Sequence, residues 1–253
     1  MKTNKKFLLF IALGLAIIVV AGVCLKASGN YVVYTANTSK KKLPVYGVKR
    51  DDDSLSISFD CAWGVEYTDG ILDALDFYGV KATFFVVQFW AEKYPDYLKK
   101  ISERGHEIGT HSKTHPKMSK LSEKAIEEEL TSSVKAIEEI TGKKVTLFRP
   151  PFGDYNDRLI TVAEKLGLNT VQWSVDSLDW KNLSAEEIAT RVIKKAKSGS
   201  IILMHNNGLH TLESLPLIFA ATQQKRLVYR PIGELIYTDD YKILPDGTQI
   251  KTN

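Results

Sequence analysis

Residues 54–60 read SLSISFD, so that Leu55, Ile57 and Phe59 alternate with serines until the run ends at Asp60. A period of two is typical of a β-strand, because successive side chains point to opposite faces of a sheet. In parallel α/β folds the chemistry lies at the carboxyl ends of the strands. We therefore place the start of the folded domain at this stretch and take Asp60 as its first candidate site residue.

Downstream of this strand, short apolar runs alternate with longer amphipathic segments. Strands separated by single helices predict parallel βαβ units, and about seven such units fit either a barrel or an open doubly wound sheet. Unusual residues end several successive strands, which favours the barrel. These residues are Asp60, His111, Arg149, Asp176 with Asp179, and His205.

Composition excludes some classes of function. The chain has 253 residues, 44% of them hydrophobic and 25% charged, which is enough for a full core. The net charge of +4 is concentrated at the N-terminus, where Lys2, Lys5 and Lys6 occur without an acidic residue. Beyond residue 25 the chain has 31 basic and 30 acidic residues. This balance argues against an extended polyanion-binding face, and no nucleic-acid partner is predicted.

The N-terminal segment has the pattern of a membrane anchor. Residues 7–25 carry no charge and follow three lysines. As a helix they would span roughly 28 Å, close to the hydrocarbon thickness of a bilayer. We expect residues 1–6 to be a cytoplasmic tip, 7–25 a single-pass membrane helix, and the catalytic domain to be extracellular. The alternative is secretion after cleavage of a signal peptide near Ala27, Ser28 and Gly29.

The remaining boundaries follow from composition. Residues 26–53 are polar and are predicted to be a linker, residues 54–237 are predicted to be the folded domain, and residues 238–253 a C-terminal tail.

Residues 109–116 read GTHSKTHP and place two of the five histidines four residues apart, beside a predicted strand end. Neutral imidazole is a common zinc ligand, and a strand that enters a tight loop can turn both rings toward one point. His111 and His115 are therefore candidate metal ligands. The alternative is that both are surface loop residues.

Five ordered segments together resemble the motifs of the polysaccharide deacetylases, which are family 4 carbohydrate esterases with the nodulation-type deacetylase homology domain. The resemblance covers about residues 54–237 and is closest to sporulation-associated and clostridial membrane-anchored members. The segments are SFDC at 58–61, HSKTH at 111–115, RPPFG at 149–153, DSLDW at 176–180 and LMH at 203–205.

The resemblance implies an α/β fold of the distorted (β/α)7-type barrel and one divalent metal ion, with zinc expected. It implies removal of N-acetyl groups from N-acetylglucosamine residues of a cell-wall polysaccharide, either peptidoglycan or a chitin-like polymer. His111 and His115 match metal ligands, Asp60 matches the catalytic base, and Arg149 matches the arginine that holds this base.

At the other motifs, the resemblance implies that His205 is the general acid and that Asp179 orients it. Phe152 stands where the family usually has tyrosine, and its backbone N–H would help to hold the oxyanion. Trp180 and Leu203 would form apolar walls for the acetyl methyl group. Leu203 alone is equally consistent with core packing.

Cys61 departs from the family pattern, because the second aspartate of the first motif is missing. Cys61 could bind zinc as a thiolate. Otherwise it is a packing residue, and Glu66 or water completes the coordination. The departure leaves two further functions open, namely a catalytically weak glycan-binding protein of the cell wall and an esterase of the acetyl-xylan type.

Overall fold

The structure is a computed structural model, and it describes residues 41–252. The chain forms two sheets of different size. The strands are β1 (Gly47–Val48), β2 (Ser54–Cys61), β3 (Thr83–Val86), β4 (Glu107–Thr110), β5 (Leu147–Phe148), β6 (Asn169–Thr170), β7 (Val175–Asp176), β8 (Ile201–His205), β9 (Val228–Tyr229), β10 (Tyr241–Ile243) and β11 (Thr248–Lys251).

The larger sheet is a half-barrel of parallel strands in the order β6-β5-β4-β3-β2-β8-β7, with β9 also pairing with β2. The predicted parallel α/β architecture is confirmed. Within residues 41–252, however, no strand pairing joins the two edge strands β6 and β7. The barrel is therefore open on one side.

The segment around β1 crosses this open side. Val45 forms a parallel bridge with Val171, which follows β6, and Gly47 forms an antiparallel bridge with Ser200, which precedes β8. The backbone approaches so closely that a Cβ on Gly199 would lie 1.5 Å from the Val48 carbonyl oxygen. Glycine is required at this position.

Helices connect the strands and cover the outside of the half-barrel. Their ends carry the signals that the sequence contains, such as the Ser184–Glu187 capping box and left-handed Gly142. The helices are α1 (Thr68–Phe77), α2 (Gln88–Lys93), α3 (Pro95–Glu103), α4 (Glu123–Thr141), α5 (Asp157–Lys165), α6 (Ala185–Lys195), α7 (Thr211–Gln224) and α8 (Ile232–Leu235).

The two faces of β2 have different surroundings. Leu55, Ile57, Phe59 and Cys61 belong to the hydrophobic core that packs against the helices. The alternate residues, which are three serines and Asp60, are also buried but polar. Because strand side chains alternate, these polar groups face the interior of the half-barrel, where the site is built.

Both predicted domain boundaries need correction. Residues 26–53 were expected to be a linker, but from Val45 onward the chain already pairs with the half-barrel. Residues 238–253 were expected to be a tail, yet β10 and β11 form a hairpin that pairs in parallel with β1. The apolar patterns are short here, so pairing partners and not local sequence decide the structure.

The predicted membrane helix at residues 7–25 lies outside the described residues. Within residues 41–252, the structure contains no helix that is both long enough and apolar enough to cross a membrane.

Candidate active site

Asp60 and Arg149 form a buried ion pair at the carboxyl ends of β2 and β5. Arg149 Nη1 donates to Asp60 Oδ1 and to Ser58 Oγ, both at 2.8 Å, and Nη2 donates to the Gln172 carbonyl oxygen at 3.0 Å. Burial alone would raise the pKa of the Asp60 carboxyl, but the positive charge of Arg149 holds it below its usual value. Asp60 is therefore ionised at neutral pH.

Asp179 and His205 form a second pair. Asp179 is fully buried, and its carboxylate accepts hydrogen bonds from His205 Nδ1, from the His205 backbone N–H and from Thr211 Oγ1, each at 2.7 Å. Burial alone would lower the pKa of His205, but the hydrogen bond with Asp179 and its charge raise it above the ordinary value. The pair thus holds a proton on His205 and points Nε2 away from Asp179.

The register of the sheet brings the two pairs together. Asp60 on β2 lies directly beside His205 on β8 in the parallel ladder. Each side chain has its own buried partner, which lowers the pKa of Asp60 and raises the pKa of His205 at the same pocket. Paired titratable groups whose surroundings push their pKa values apart are typical of acid–base catalysis.

His111 and His115 lie on the other side of Asp60. His111 Nδ1 bonds to the Arg149 carbonyl oxygen at 2.7 Å, which requires the proton on Nδ1 and leaves the Nε2 lone pair free. Nε2 lies 3.6 Å from Asp60 Oδ2. Burial lowers the pKa of both histidines, and that of His115 falls to about 4. Both rings are therefore neutral at pH 7, as metal ligands must be.

The loop from Ser112 to His115 is fixed by α4. Glu129 accepts hydrogen bonds from the backbone N–H groups of Lys113 and Thr114 at 2.9 and 2.8 Å, and from Thr114 Oγ1 at 2.6 Å. His115 has a left-handed backbone with φ of 59° and packs edge-on against His111, with ring centroids 4.9 Å apart. Such conformations cost about 1–3 kcal/mol and persist where the surroundings enforce them.

A pocket of about 580 Å³ opens over these groups. The predicted substrate-binding residues Phe152, Trp180 and Leu203 all line it: the two aromatic rings are more than half exposed, and Leu203 is buried. Phe152 is also left-handed, with φ of 61°. The structure adds further lining residues that were not predicted, namely Ala62, Trp63, Trp173 and Asn207, together with Asp176, whose role was left open.

Trp63 is the most informative of these additions. It is 56% exposed, and its ring stands edge-on to His115 with centroids 5.1 Å apart. The carbonyl of the next residue, Gly64, accepts hydrogen bonds from Trp90 Nε1 at 2.7 Å and Asn206 Nδ2 at 3.0 Å. The position of Trp63, three residues after Asp60, is the one signal in the sequence that could have indicated this residue.

The structure corrects the prediction for Cys61. Cys61 is fully buried among the core residues of β2, on the face opposite Asp60, and does not line the pocket. Its Sγ lies 3.8 Å from the Phe59 carbonyl oxygen, and burial raises the pKa of the thiol well above its usual value. Because the thiol lies in the core, away from the pocket that His111 and His115 line, the structure supports the packing alternative for Cys61.

The residues present therefore fit a metal ion only in part. His111 and His115 offer two neutral imidazoles, one of them oriented by a backbone carbonyl. In the part of the chain that the structure describes, no group of three His, Cys, Asp or Glu side chains could hold an ion. The alternative ligand Glu66 instead accepts a hydrogen bond from the neighbouring Val65 N–H at 2.9 Å. Residues 41–252 therefore do not supply a third protein ligand.

The fold and the site define a class: a parallel α/β half-barrel with a carboxylate–arginine pair, an aspartate–histidine pair and two free imidazoles in one pocket. The chain belongs to the polysaccharide deacetylase family. The family model described as polysaccharide deacetylase matches residues 47–171.

Among the relatives, the uncharacterized protein YlxY of Bacillus subtilis is 35% identical over 79% of this chain, which spans 62% of the length of YlxY. A peptidoglycan-N-acetylglucosamine deacetylase of Bacillus cereus is 34% identical, with 75% of this chain and 91% of the relative covered. The crystal structure of BA3943, a CE4 family pseudoenzyme from Bacillus anthracis, is 33% identical with a TM-score of 0.74, covering 76% of this chain and 68% of the other.

Proposed function

We propose that this domain removes N-acetyl groups from N-acetylglucosamine residues of a cell-wall polysaccharide. The observation that carries the proposal is that Asp60, bonded to Arg149, and His205, bonded to Asp179, meet at one pocket, each held by its own buried partner. The relative from Bacillus cereus, a peptidoglycan-N-acetylglucosamine deacetylase, supports the choice of substrate class.

The two pairs divide the proton transfers of amide hydrolysis between them. Asp60 takes a proton from the attacking water as the new C–O bond forms. His205 delivers a proton to the nitrogen as the C–N bond breaks, so that acetate and a free amine are released. Arg149 keeps Asp60 ionised and Asp179 keeps His205 charged, which sets both groups in the required starting state.

The pocket walls suit an acetamido sugar. Trp180 and Leu203 offer an apolar surface next to His205, large enough for a methyl group. Trp63 and Phe152 expose aromatic rings at the other side of the opening. Flat aromatic faces pack well against the apolar faces of sugar rings, so these two residues would position the polymer.

We further propose that His111 and His115 hold one divalent ion, with zinc the first candidate, and that water supplies the remaining ligands. Such an ion would lower the pKa of its bound water and polarise the acetyl carbonyl. Because a third protein ligand is missing from residues 41–252, we expect weaker binding than at a complete three-residue site.

The test is release of acetate from N-acetylglucosamine oligomers, measured without added metal and with zinc or cobalt. We expect metal-dependent acetate release that disappears in Asp60→Asn. Parallel reactions with acetylated xylan test the esterase alternative. Release of acetate from acetylated xylan but not from the oligomers would show that the protein is an esterase and not an amide hydrolase.

A second candidate is a glycan-binding protein with little or no turnover. It is supported by the position of Cys61 in the core, by the lack of a third ligand for the two histidines within residues 41–252, and by similarity to the pseudoenzyme BA3943. In the same assay this candidate predicts that the oligomers bind in the pocket, while no acetate appears with any metal. That combination would exclude the enzymatic proposal.

We also propose that residues 7–25 anchor the protein in the cell membrane with the domain outside, where a cell-wall glycan is accessible. The lysines before this segment and the uncharged run itself support this orientation. In fractionated cells the protein should be found in the membrane fraction. Protease added to intact cells should digest the domain. Recovery of the domain from the culture medium would instead indicate cleavage of a signal peptide.

A further inference from the structure

A second cleft, of about 840 Å³, lies at the open side of the half-barrel. Four segments line it: residues 46–50 around β1, residues 173–175 leading into β7, residues 195–200 after α6, and the β10–β11 hairpin. The close contact between Gly199 and Val48 fixes the first and third segments against each other. The floor of the cleft is therefore built from paired backbone.

The cleft is basic. Lys49, Lys195 and Lys197 are exposed and line it, whereas Asp246 is the one acidic residue among the lining residues. None of the three lysines forms an ion pair with a carboxylate of residues 41–252. Arg50, the fourth basic residue, is neutralised by Asp52 through a hydrogen bond of 2.5 Å. Three ammonium groups are thus available to an anionic ligand.

This concentration of charge is local. Beyond residue 25 the basic and acidic residues of the chain nearly balance, so the cleft is not part of a generally basic surface. A lysine ammonium group is a compact, strongly hydrated point charge. It can therefore bind a carboxylate without requiring a fixed orientation. Exposed ammonium–carboxylate contacts are weak one by one and sensitive to salt. Three of them in one cleft suit a multivalent anion.

The basic cleft and the catalytic pocket share one residue. Trp173 lines both, and its ring is held in the half-barrel with its centroid 5.7 Å from the guanidinium carbon of Arg149. Trp173 is therefore a wall common to the pocket where an acetamido group would react and the cleft where anions would bind. A polymer with both groups could occupy both places at once.

We propose that the basic cleft binds carboxylate groups carried by the same glycan strand whose N-acetyl group enters the catalytic pocket. This proposal rests on the function proposed above and adds a second binding site to it. It predicts that the protein prefers a glycan with carboxylate substituents over a neutral N-acetylglucosamine polymer, and that this preference disappears at high salt.

The experiment compares two charge-matched variants of the full-length protein in detergent. The cleft variant combines Lys49→Gln, Lys195→Gln and Lys197→Gln. The control variant combines Lys99→Gln, Lys124→Gln and Lys165→Gln, which are exposed helix lysines outside the cleft and without ion pairs in the described chain. Three probes are titrated at low and high salt: uncross-linked peptidoglycan strands, the same strands with amidated carboxylates, and N-acetylglucosamine oligomers.

We expect the cleft variant to bind the carboxylate-bearing strands about tenfold more weakly at low salt, because three weak ion pairs are lost. The control variant should bind them like the wild type, and amidated strands should bind wild type and cleft variant equally. Unchanged affinity of the cleft variant, or an equal loss in the control, would overturn the proposal. If the wild type does not bind the N-acetylglucosamine oligomers at all, the proposed function is refuted instead, because this neutral probe does not involve the cleft.

Discussion

The pocket has two halves that differ in completeness. The acid–base half consists of Asp60, Arg149, Asp179 and His205, and each ionisable group in it has a buried partner within 2.8 Å. The metal-facing half consists of His111 and His115, which have no third protein ligand in residues 41–252. One half satisfies its own charges, whereas the other would need a group that residues 41–252 do not supply.

The difference shows why intact catalytic side chains are not by themselves proof of turnover. Arg149 is fully buried and contacts Asp60, Ser58 and the Gln172 carbonyl, so it also ties β2 to the segments that follow β5 and β6. Removing one partner of a buried ion pair leaves an uncompensated charge. The fold alone thus favours keeping the acid–base half, while in the metal-facing half the His111 side chain contributes a neutral hydrogen bond to the Arg149 carbonyl oxygen and not a buried ion pair.

The largest expected effect comes from Asp60→Asn. The amide can still accept the Arg149 hydrogen bond but cannot take a proton, so acetate release should fall by about a thousandfold or more. Zinc content should stay the same, since Asp60 belongs to the acid–base half. His111→Ala is the matched comparison and should lose both zinc and activity. Loss of zinc in Asp60→Asn would place Asp60 in the metal-facing half.

Arg149→Met tests whether the acid–base half is structural. The substitution leaves the Asp60 carboxylate buried without its partner, and the free energy of unfolding should fall by about 3–5 kcal/mol. Denaturant unfolding measures the change. In the double variant with Asp60→Asn, most of the loss should be recovered because no charge remains. A single variant as stable as the wild type would show that the ion pair does not support the fold.

Asp179→Asn should weaken the general acid. The pKa of His205 is raised in the folded protein, so protonated His205 stabilises the fold at low pH, and this contribution declines as pH rises through the folded pKa. Without the carboxylate, the pKa of His205 should fall and acetate release should decrease about a hundredfold. An NMR titration of His205 measures the shift. An unchanged pKa of His205 would show that Asp179 does not raise it.

The metal-facing half predicts an unusual pH dependence. An ordinary histidine loses metal as it is protonated near its usual pKa, but burial lowers the pKa of His115 to about 4. Zinc affinity measured by competition with a chelator should therefore change little between neutral pH and about pH 5.5. A sharp decline near pH 6.5 would mean that the histidines are more exposed to water than the structure indicates.

The smallest effect is expected for Cys61→Ala. Cys61 packs in the core and not in the pocket, so zinc content and activity should remain those of the wild type. The loss of one buried atom should lower the free energy of unfolding by about 1 kcal/mol. A clear decrease in zinc content would show that Cys61 is the third metal ligand beside His111 and His115.

Much of this protein was predictable from local sequence. The period of two in residues 54–60, the Ser184–Glu187 capping box and Gly142 fix β2, α6 and the end of α4, because they act within a few residues. Asp60, His111, Asp176 and His205 from the predicted strand ends line one pocket, as expected when parallel strands share an edge. Arg149 and Asp179 lie behind them, bonded to Asp60 and His205. The predictions of a linker and a tail were wrong because the short strands in these segments form only by pairing with residues far away in the sequence.

The sequence by itself determined the class of fold, the family and the inventory of site residues, because strand periodicity and ordered motifs are local properties. The tertiary structure decided which of them can act together. It turned Asp60 into the half-barrel and Cys61 into the core, since neighbouring strand residues point in opposite directions. It also brought Trp63 to His115 and placed Trp173 between the pocket and the basic cleft, through packing that no local pattern encodes.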